Sequence, residues 1–441
     1  MNKQFKHYPK YKDSGVEWLG DIPSGWSITS LGSILELKSD KNNPSYDVLS
    51  VYREHGVIPK DSRDDNHNVT SLDLSNYKAV NPGDFVVNKM KAWQGSMGVS
   101  KYKGIVSPAY ITCNINKQKI DCDFLHKLLR SDIYIGEYNK LSYGVRVGQW
   151  DMHYEDFKKI YTIIPPTEEQ KRIAEFLDKK TAQIDQAHAQ KQQMIELLKE
   201  RRKIITHNAV TRGLNPDAPM KPSGIDWLGS IPAHWQIKKL KYLGNIFAGI
   251  TGKAGEDFAK EQLTDRHKPF IPFTNICNNN VININQYQYV KIKEIENQNT
   301  IINGDLLFLM SSETLNDIGK CSLYLGNNEE LYLNSFCKGF RLGVYDTSPS
   351  FVNLLFQSQS YRGYFSLVGR GFTRINIKQE YINDLPVLLP PINEQKQIVE
   401  YLDNITTKIE AAITCKQNEI EKLKEYKATL INSAVTGKIK V

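Results

Sequence analysis

The chain has 441 residues, 40% of them hydrophobic and 24% charged, which is the balance of a globular protein with more than one core. It contains no apolar run of about 18 residues that could span a bilayer and no leader with a basic start and an apolar centre, so we expect a cytoplasmic protein. The net charge of +8 allows a polyanionic partner but does not require one.

Two short blocks, one near the start of each half of the chain, match each other. Residues 14–23 read SGVEWLGDIP and residues 223–232 read SGIDWLGSIP, an offset of 223 − 14 = 209. In each copy a tryptophan follows the proline by three positions, Trp26 in the first and Trp235 in the second. Self-similarity over this distance predicts a duplicated structural unit.

The region after each block is predicted to be a globular domain of mixed α and β structure. Strand-like runs at residues 84–88 and 305–310 are separated from their neighbours by Gly, Asn and Pro turns. The two regions match only in weak echoes, such as residues 124–136 with 351–363. We therefore expect two domains that share a fold but differ in surface.

A long helix is predicted after each globular region. Residues 165–185 read PPTEEQKRIAEFLDKKTAQID and residues 390–410 read PPINEQKQIVEYLDNITTKIE, and both copies end on the triplet AVT. Thr167 with Gln170 three positions later has the sequence of a capping box, which predicts that the first helix begins there.

Apolar residues recur along both helices at matching positions, with steps of three and four. This period, with one stutter, is typical of a coiled coil. A helix of about 40 residues is about 60 Å long, too long to be buried in one domain, so we expect the two helices to pair antiparallel and to act as a spacer. The alternative is that each helix lies separately on a globular core. The predicted seam consists of Ile173, Leu177, Ile184, Ile195, Leu198, Ile205, Ile398, Leu402, Ile409, Ile420, Leu423 and Leu430.

These patterns predict five segments. They are a globular domain (1–165), a long helix (166–213), a proline-containing linker (214–222), a second globular domain (223–390) and a second long helix (391–441). The predicted fold class is α/β of the mixed α+β kind, with two globular domains separated by two long antiparallel coiled-coil helices and an internal pseudo-two-fold repeat.

The SGxxWLGxIP block with its following tryptophan, the PPxxEQ start of a long helix and the AVT near its end each occur twice. Together they resemble the specificity subunits of type I restriction-modification systems, over about a third of the chain. The resemblance implies two target-recognition domains that each read one half of an asymmetric bipartite site in double-stranded DNA. It implies further that the long helices set the unread gap between the half-sites.

The resemblance also implies partners and places the cofactors in them. In this family the chain binds two adenine methyltransferase subunits, which use S-adenosylmethionine, and it recruits restriction subunits that translocate DNA with ATP and Mg. No cofactor or metal is expected in this chain. Because Trp18, Trp26, Trp227 and Trp235 repeat, they cannot encode different half-sites, and we expect them to pack a domain onto a helix end or onto the methyltransferase.

Polar and basic side chains in glycine-containing segments, which suit loops, are candidate DNA-binding residues. The first region contains the segments NKMKAWQG and SYGVRVGQW, and the second contains GITGKAG and GRGFTRIN. For each residue the alternative is an ordinary solvated surface group, and Trp93 and Trp150 are interpreted as core residues. The candidates are Lys89, Lys91, Gln94, Tyr143, Arg146, Gln149, Thr251, Lys253, Arg370, Thr373, Arg374 and Asn376.

No catalytic motif was found, so we expect no catalytic residues. Neither Pro-Pro pair follows Asn or Asp and precedes an aromatic residue, as adenine methylation requires, and Gly252-Lys253 lacks the rest of a phosphate-binding loop. The six cysteines show no metal-ligand spacing and are expected to be reduced and mostly buried. Two other functions remain possible at this point: an intrinsic nuclease or methyltransferase, and a coiled-coil assembly protein that binds only proteins.

Overall fold

The computed structural model describes residues 5–63, 70–146, 149–293, 295–328, 330–343 and 346–441. Contacts divide the chain into two compact units, unit 1 formed by Met1–Gln192 with Gln417–Val441, and unit 2 formed by Gln193–Lys416. Each unit combines one globular region with part of each long helix, because both helices contribute apolar residues to both cores.

Unit 1 contains three short helices, α1 (Cys122–Leu128), α2 (Asp132–Leu141) and α3 (Tyr154–Phe157), and it also contains the start of the long helix α4 (Thr167–Arg212). Its strands in chain order are β1 (Tyr11–Asp13), β2 (Asp21–Pro23), β3 (Ser27–Ser30), β4 (Leu35–Lys38), β5 (Leu49–Tyr52), β6 (Gly56–Pro59), β7 (Lys78–Val80), β8 (Phe85–Asn88), β9 (Met97–Val99), β10 (Gly104–Val106), β11 (Tyr110–Ile115), β12 (Tyr143–Arg146), β13 (Gln149–Asp151) and β14 (Tyr161–Ile164).

The centre of unit 1 is an antiparallel sheet with the strand order β4-β11-β8-β9. Successive residues of a strand point to opposite faces, and β8 is buried on both. Phe85 and Val87 join one core, whereas Val86 joins another. Strand β14 pairs with β3, so the residues that lead into α4 lie beside the strand that follows Trp26.

Unit 2 contains the short helices α5 (Phe273–Asn278), α6 (Pro349–Gln357), α7 (Gln359–Val368) and α8 (Gln379–Asn383), and it also contains the start of the long helix α9 (Ile392–Val435). Its strands are β15 (Met220–Pro222), β16 (Ser230–Pro232), β17 (Gln236–Lys239), β18 (Gly244–Ala248), β19 (Phe258–Ala259), β20 (His267–Ile271), β21 (Gln288–Lys291), β22 (Leu306–Leu309), β23 (Ser311–Ser312), β24 (Cys321–Leu323), β25 (Tyr332–Leu333), β26 (Cys337–Leu342), β27 (Ile375–Asn376) and β28 (Pro386–Leu389).

Unit 2 repeats the topology of unit 1. Its central antiparallel sheet has the order β18-β26-β22-β24, and β17 pairs with β28 as β3 pairs with β14. It adds a sheet with the order β19-β21-β20-β25, in which β20 and β25 run parallel. The predicted fold class is therefore confirmed, and the added sheet is one reason why the sequences between the matched blocks are so unlike.

A buried aspartate holds the same turn in both units. Asp84 and Asp305 each accept a hydrogen bond from the backbone amide three residues earlier, at 2.7 and 2.9 Å. The cation that neutralises the carboxylate differs, because Lys38 Nζ lies 2.6 Å from Asp84 whereas Arg341 donates to Asp305 at 2.9 and 2.7 Å. Both aspartates follow a glycine, at residues 83–84 and 304–305, so one turn recurs in the two units with two different cationic partners.

Each long helix begins with a fully buried glutamine that ties it to the globular region. Gln170 and Gln395 each donate from Nε2 to the carbonyl of the first proline of the preceding Pro-Pro pair, at 2.8 Å in both cases. Their Oε1 atoms accept from the backbone amides of Asp121 at 2.6 Å and Ser348 at 2.8 Å, the residues that cap α1 and α6. The predicted capping box with Thr167 was wrong, because both ends of the Gln170 amide bind groups outside the helix.

The glutamate before each glutamine binds the repeated tryptophan. Trp26 Nε1 donates to Glu169 at 3.2 Å, and Trp235 Nε1 donates to Glu394 at 3.1 Å. Both indole rings are fully buried. The two repeated sequence blocks therefore meet in each unit, and the tryptophan packs the start of a globular region onto the start of its own helix.

The second oxygen of each glutamate has a different partner in each unit. The Tyr8 hydroxyl donates to Glu169, and His234 Nε2 lies 2.8 Å from Glu394. Burial, together with the carboxylate of Glu169, raises the pKa of Tyr8 above its usual value, so this hydroxyl keeps its proton. Each carboxylate is thus held at both oxygens.

In unit 1 the first part of α4 and the last part of α9 run antiparallel. Lys427 Nζ lies 2.6 and 2.8 Å from the two carboxylate oxygens of Asp185, and Lys191 pairs with Glu419. These two lysines thus reach carboxylates of the opposite helix, which keeps their charges at the surface while their stems pack. Of the predicted seam residues in this unit, Leu423 is half-buried and the others are buried, namely Ile173, Leu177, Ile184, Ile420 and Leu430.

In unit 2 the last part of α4 pairs with the first part of α9. Arg202 forms an ion pair with Glu410, and Ile398 and Leu402 share a core with Ala209 and Val210 near the end of α4. The order of these contacts is again antiparallel. The remaining predicted seam residues of this unit are Ile195 and Ile409, which are buried, and Leu198 and Ile205, which are half-buried.

A glycine ends each long helix against a repeated tryptophan. Gly437, after α9, lies against Trp26 in unit 1, and Gly213, after α4, lies against Trp235 in unit 2. Their φ angles of 75° and 77° are those of a left-handed helix cap, which glycine adopts without strain. Each tryptophan is thus packed between the start of one long helix and the end of the other.

Within the described part of the chain, no helix is long and apolar enough to cross a membrane, and no cluster of His, Cys, Asp and Glu could hold a metal ion. Cys113, Cys321 and Cys337 are buried thiols outside any disulfide. Burial raises the pKa of Cys113 to about 12, so this thiol is protonated and unreactive at neutral pH.

Replacing Gln395 should destabilise unit 2. Gln395→Ala leaves the Ser348 amide and the Pro390 carbonyl without their side-chain partner, and a buried polar group without a partner costs about 1–3 kcal/mol. Urea unfolding of the full chain should show this loss of free energy of unfolding. Gln397→Ala, at an exposed position on the same helix, is the control. An equal loss of free energy of unfolding in both variants would contradict the stabilising role of the Gln395 hydrogen bonds.

Candidate nucleic-acid interface

Two candidate segments of the first globular region lie next to each other in unit 1. Residues Lys89–Gln94 form a 3-10 helix after β8, and the second segment forms the β12–β13 hairpin. Met152 N, just after the hairpin, donates to Lys89 O at 3.0 Å, and the half-buried rings of Trp93 and Trp150 meet edge to face 5.3 Å apart. The fold thus brings together candidates about 50 residues apart in sequence.

The polar side chains of the 3-10 helix differ in accessibility. Lys91 is exposed and Gln94 is half-buried. The ammonium of Lys89 lies 3.2 Å from Asp151 on β13, so part of its charge is already balanced within the unit. Of these three candidates, Lys91 is the most accessible to a phosphate.

The hairpin presents an aromatic side chain to solvent. Tyr143 is 58% exposed and stacks on His153, with ring centroids 5.2 Å apart. The backbones of Arg146 and Gln149 pair across the hairpin, but their side chains lie outside the described part of the chain, as do residues 147–148. These two candidates stay predictions.

The candidates in the GRGFTRIN segment lie on a tight turn after α7, which we call the 370–376 turn. Arg370 and Asn376 exchange two backbone hydrogen bonds of 3.0 and 2.8 Å, and β27 pairs with β23. The side chains of Arg370, Thr373, Arg374 and Asn376 are all exposed. The backbone is therefore fixed while these four side chains face solvent together.

Local contacts orient several of these exposed side chains. The Arg374 guanidinium lies over the ring of Phe336, 4.8 Å from its centroid, a favourable cation–π geometry. Arg370 donates to the carbonyls of Leu367 and Gly369, and Asn376 Nδ2 donates to the Arg374 carbonyl at 3.2 Å. These contacts restrict rotamers without burying the polar ends.

Thr251 and Lys253 have different environments, although the sequence grouped them. Thr251 is exposed, and its backbone exchanges two hydrogen bonds with the Gln298 amide at 3.1 and 2.9 Å. The Lys253 side chain is only 4% exposed, and its ammonium lies 2.5 Å from Glu296. The hydrogen bond from Lys253 lowers the pKa of Glu296, which keeps this carboxylate ionised at neutral pH. The structure therefore argues against Lys253 as a phosphate contact, because Glu296 already balances the charge of its buried side chain.

The hairpin and the 370–376 turn occupy equivalent places in the two units. Each follows the second short helix after the central sheet, and Gly144 and Gly371 stand at the offset of 227 that also relates residues 124–136 to 351–363. Where the side chains of both loops are described, they differ: Tyr143 is exposed at the position that corresponds to Arg370 in unit 2. Equivalent positions with unlike side chains suit two readers of different sequences.

Sequence reasoning missed a set of exposed aromatic side chains near the 370–376 turn. Phe273, Phe336 and Phe372 are 46%, 44% and 107% exposed. The first two line a cleft of about 210 Å³ together with Arg374, Ser312, Thr314 and Asp317. A phenylalanine between two arginines in a glycine-containing segment was a usable signal for Phe372. The exposure of Phe273 and Phe336 follows only from the tertiary structure.

Substitution of Gly371 should open the 370–376 turn. Its φ is 145°, and a Cβ atom would lie 1.8 Å from the Arg374 carbonyl oxygen, so Gly371→Ala must strain the backbone by about 1–3 kcal/mol. We expect faster hydrogen exchange of the Arg370 and Asn376 amides. Gly363→Ala on α7, where an added Cβ meets nothing within 4 Å, is the control. Unchanged exchange in Gly371→Ala would contradict a glycine-dependent turn.

Comparison with known proteins gives matches over nearly the whole chain. The family model described as type I restriction modification DNA specificity domain matches residues 23–197 and again residues 232–422. The EcoKI specificity subunit of Escherichia coli strain K12 is 23% identical over 442 residues, covering 95% of this chain and 90% of that protein. The putative MjaX specificity subunit of Methanocaldococcus jannaschii is 24% identical over 462 residues, covering 96% of each.

Solved structures share the fold. The HsdS subunit from Thermoanaerobacter tengcongensis has a TM-score of 0.57 at 16% identity and covers 95% of this chain and 98% of its own. A chain from work on complex assembly and conformational transition of the type I R-M system has a TM-score of 0.68 at 14% identity, with coverages of 94% and 98%. Because the family model matches well over half of the residues, and does so once in each half, this protein belongs to the family of type I restriction-modification DNA specificity (HsdS) subunits.

Proposed function

We propose that this chain chooses the DNA sequence at which a type I restriction-modification complex acts, by contacting the two halves of an asymmetric bipartite site with its two globular regions. The observation that carries the proposal is a repeated scaffold with unlike loops. The Trp–Glu and Gln contacts recur in both units, whereas the exposed side chains of the equivalent loops differ. Two different reading surfaces on one scaffold suit two different half-sites.

The exposed side chains have the chemistry of duplex recognition. Arginine can bind guanine O6 and N7, asparagine and glutamine can bind adenine, and lysine and threonine suit phosphates. In unit 2, Asn376 suits a base edge, and Thr373 and Arg374 suit phosphates. In unit 1, Gln94 suits a base edge and Lys91 a phosphate. The net charge of +8 adds attraction that does not depend on sequence.

Catalysis, in this proposal, belongs to the partner subunits. The chain holds two methyltransferase subunits and recruits the restriction and translocase subunits, which use S-adenosylmethionine, ATP and Mg. The relatives are named specificity subunits, which supports a recognition role without chemistry of its own. We place the complex in the cytoplasm, where these cofactors and the DNA are present.

The long helices act as the spacer. Antiparallel contacts within each unit join α4 and α9 through apolar residues and through the ion pairs of Lys191, Arg202 and Lys427. A paired helix is stiffer than a single one, so its length can fix the number of unread base pairs. Half-sites about one turn of B-DNA apart, roughly 34 Å, would then be read in a fixed helical register.

Mapping of methylated adenines tests the recognition role. The full chain, expressed with its methyltransferase partner in a host that lacks adenine methylation, should direct methylation to one bipartite site with unlike halves. Identical half-sites, or a continuous site, would contradict two different readers. Methylation without sequence preference would indicate that the chain only assembles its partners, and methylation by this chain without the partner would indicate intrinsic catalysis.

Lengthening the helix pair tests the spacer role. Insertion of four residues into α4 beside Lys191 and four into α9 beside Glu419, which face each other, adds about 6 Å, roughly two base-pair steps. We expect a longer unread gap with unchanged half-sites in the methylation map. Four residues inserted into the linker at Asn215, an exposed position, form the control and should leave the gap unchanged. Changed half-sites, or an equal effect of the linker insertion, would contradict the spacer.

A further inference from the structure

The exposure of the Phe372 ring to water is unfavourable for an isolated domain. Its side chain is 107% exposed at the tip of the 370–376 turn, so the whole ring is in water. A phenylalanine gains free energy when its apolar surface is removed from water, and large exposed apolar side chains at the surface mark binding sites. The ring therefore fits a role in which a partner covers it.

The turn fixes the backbone position that carries this ring. Arg370 and Asn376 close the base with two backbone hydrogen bonds of 3.0 and 2.8 Å, and Asn376 and Ile375 pair with Ser311 and Ser312 of β23. Gly371 takes a φ of 145° and brings its backbone against the Arg374 carbonyl. Presentation of the ring is thus built in before any partner binds, which lowers the entropic cost of contact.

The charges around the ring identify the kind of partner. Residues 361–379 contain Arg362, Arg370, Arg374 and Lys378 and no acidic residue. Arg370 and Arg374 are exposed on either side of Phe372. Glu313 and Asp317 line the cleft beside Arg374, and Asp317 is paired with Lys320 at 2.7 Å, while Glu380 follows this stretch in α8. An apolar tip between two arginines fits a stacked, apolar surface bordered by phosphates.

We propose that Phe372 is a wedge that enters a base step of the half-site read by unit 2, with Arg370 and Arg374 on the flanking phosphates. Duplex DNA offers this combination at every step, and proteins that bend DNA insert phenylalanine or aliphatic side chains in this way. Because flexible pyrimidine–purine steps open at lower cost, the wedge adds specificity without hydrogen bonds to bases. The inference rests on the proposed function and names a residue that determines specificity within it.

The experiment uses the complex of the full chain with its methyltransferase partner and the bipartite site obtained by methylation mapping. 2-Aminopurine, whose fluorescence increases when the base is unstacked, replaces single bases of the half-site read by unit 2, which we call the second half-site. The methylated adenine is not replaced, because the methyltransferase itself takes that base out of the stack. We expect one step to brighten with the wild type and not with Phe372→Ala. Phe372→Leu, which keeps an apolar wedge, should restore part of the signal.

Affinity and its salt dependence separate a wedge from a phosphate contact. Phe372→Ala should weaken binding about tenfold or more, as loss of an aromatic contact with a base does, without changing the slope of log K against log salt. Arg374→Ala should reduce that slope by about one. Leu72→Ala in unit 1, where the side chain is 105% exposed, is the matched control and should leave the second half-site unaffected.

Each other outcome has a defined meaning. Wild-type binding without sequence preference would overturn the proposed function itself. Sequence-specific binding with equal affinity in Phe372→Ala and no bright step would overturn the wedge and leave the proposed function intact. Loss of the methyltransferase from the Phe372→Ala complex, measured by size-exclusion chromatography, would overturn the wedge by assigning the ring to a protein contact.

Discussion

A half-buried glutamate and the buried glutamine that follows it, at the start of each long helix, form the constraint on which the rest of the structure depends. Inside a protein an unpaired carboxylate or amide is costly, so each of these groups fixes its partners in position. Glu169 and Glu394 hold a tryptophan indole, and Gln170 and Gln395 hold the capping amide of a short helix. Three segments distant in sequence therefore meet at one point in each unit, and the exposed candidate loops stand on a defined base.

The same constraint explains why the two units are alike although the chain connects them differently. In unit 2, Gly213 at the end of α4 lies against Trp235 and continues into the linker. In unit 1, Gly437 at the end of α9 lies against Trp26, and the chain then pairs with its own start through a 2.7 Å bond from Lys440 N to Lys6 O. The repeat is thus defined by the contact between a terminal glycine and a tryptophan, and not by how the chain continues after each long helix.

Much of this architecture was predictable because repetition and periodicity are properties of sequence. The paired blocks, the two long helices and the apolar seam followed from them, and so did the position of the 370–376 turn, because Gly371 matches Gly144. Pairing partners were not predictable. Lys253 forms an ion pair with Glu296, and Lys89 forms one with Asp151. In both cases the carboxylate comes from a distant segment of the chain, and only the fold brings it close to the lysine. The exposure of Phe336 likewise depends on tertiary packing, which no local pattern encodes.

The division between scaffold and loop also limits where specificity can change. Residues whose side chains satisfy buried groups, such as Gln395, cannot vary without a loss of stability. In the 370–376 turn the structure is held by backbone bonds and by Gly371, whereas the side chains of Arg370, Phe372, Thr373 and Arg374 face solvent. Exchange of those side chains leaves the turn in place, so the geometry of the turn does not restrict which exposed side chains it carries. A scaffold of this kind lets recognition diverge in one unit without disturbing the other, because each turn is anchored to its own sheet and its own helix.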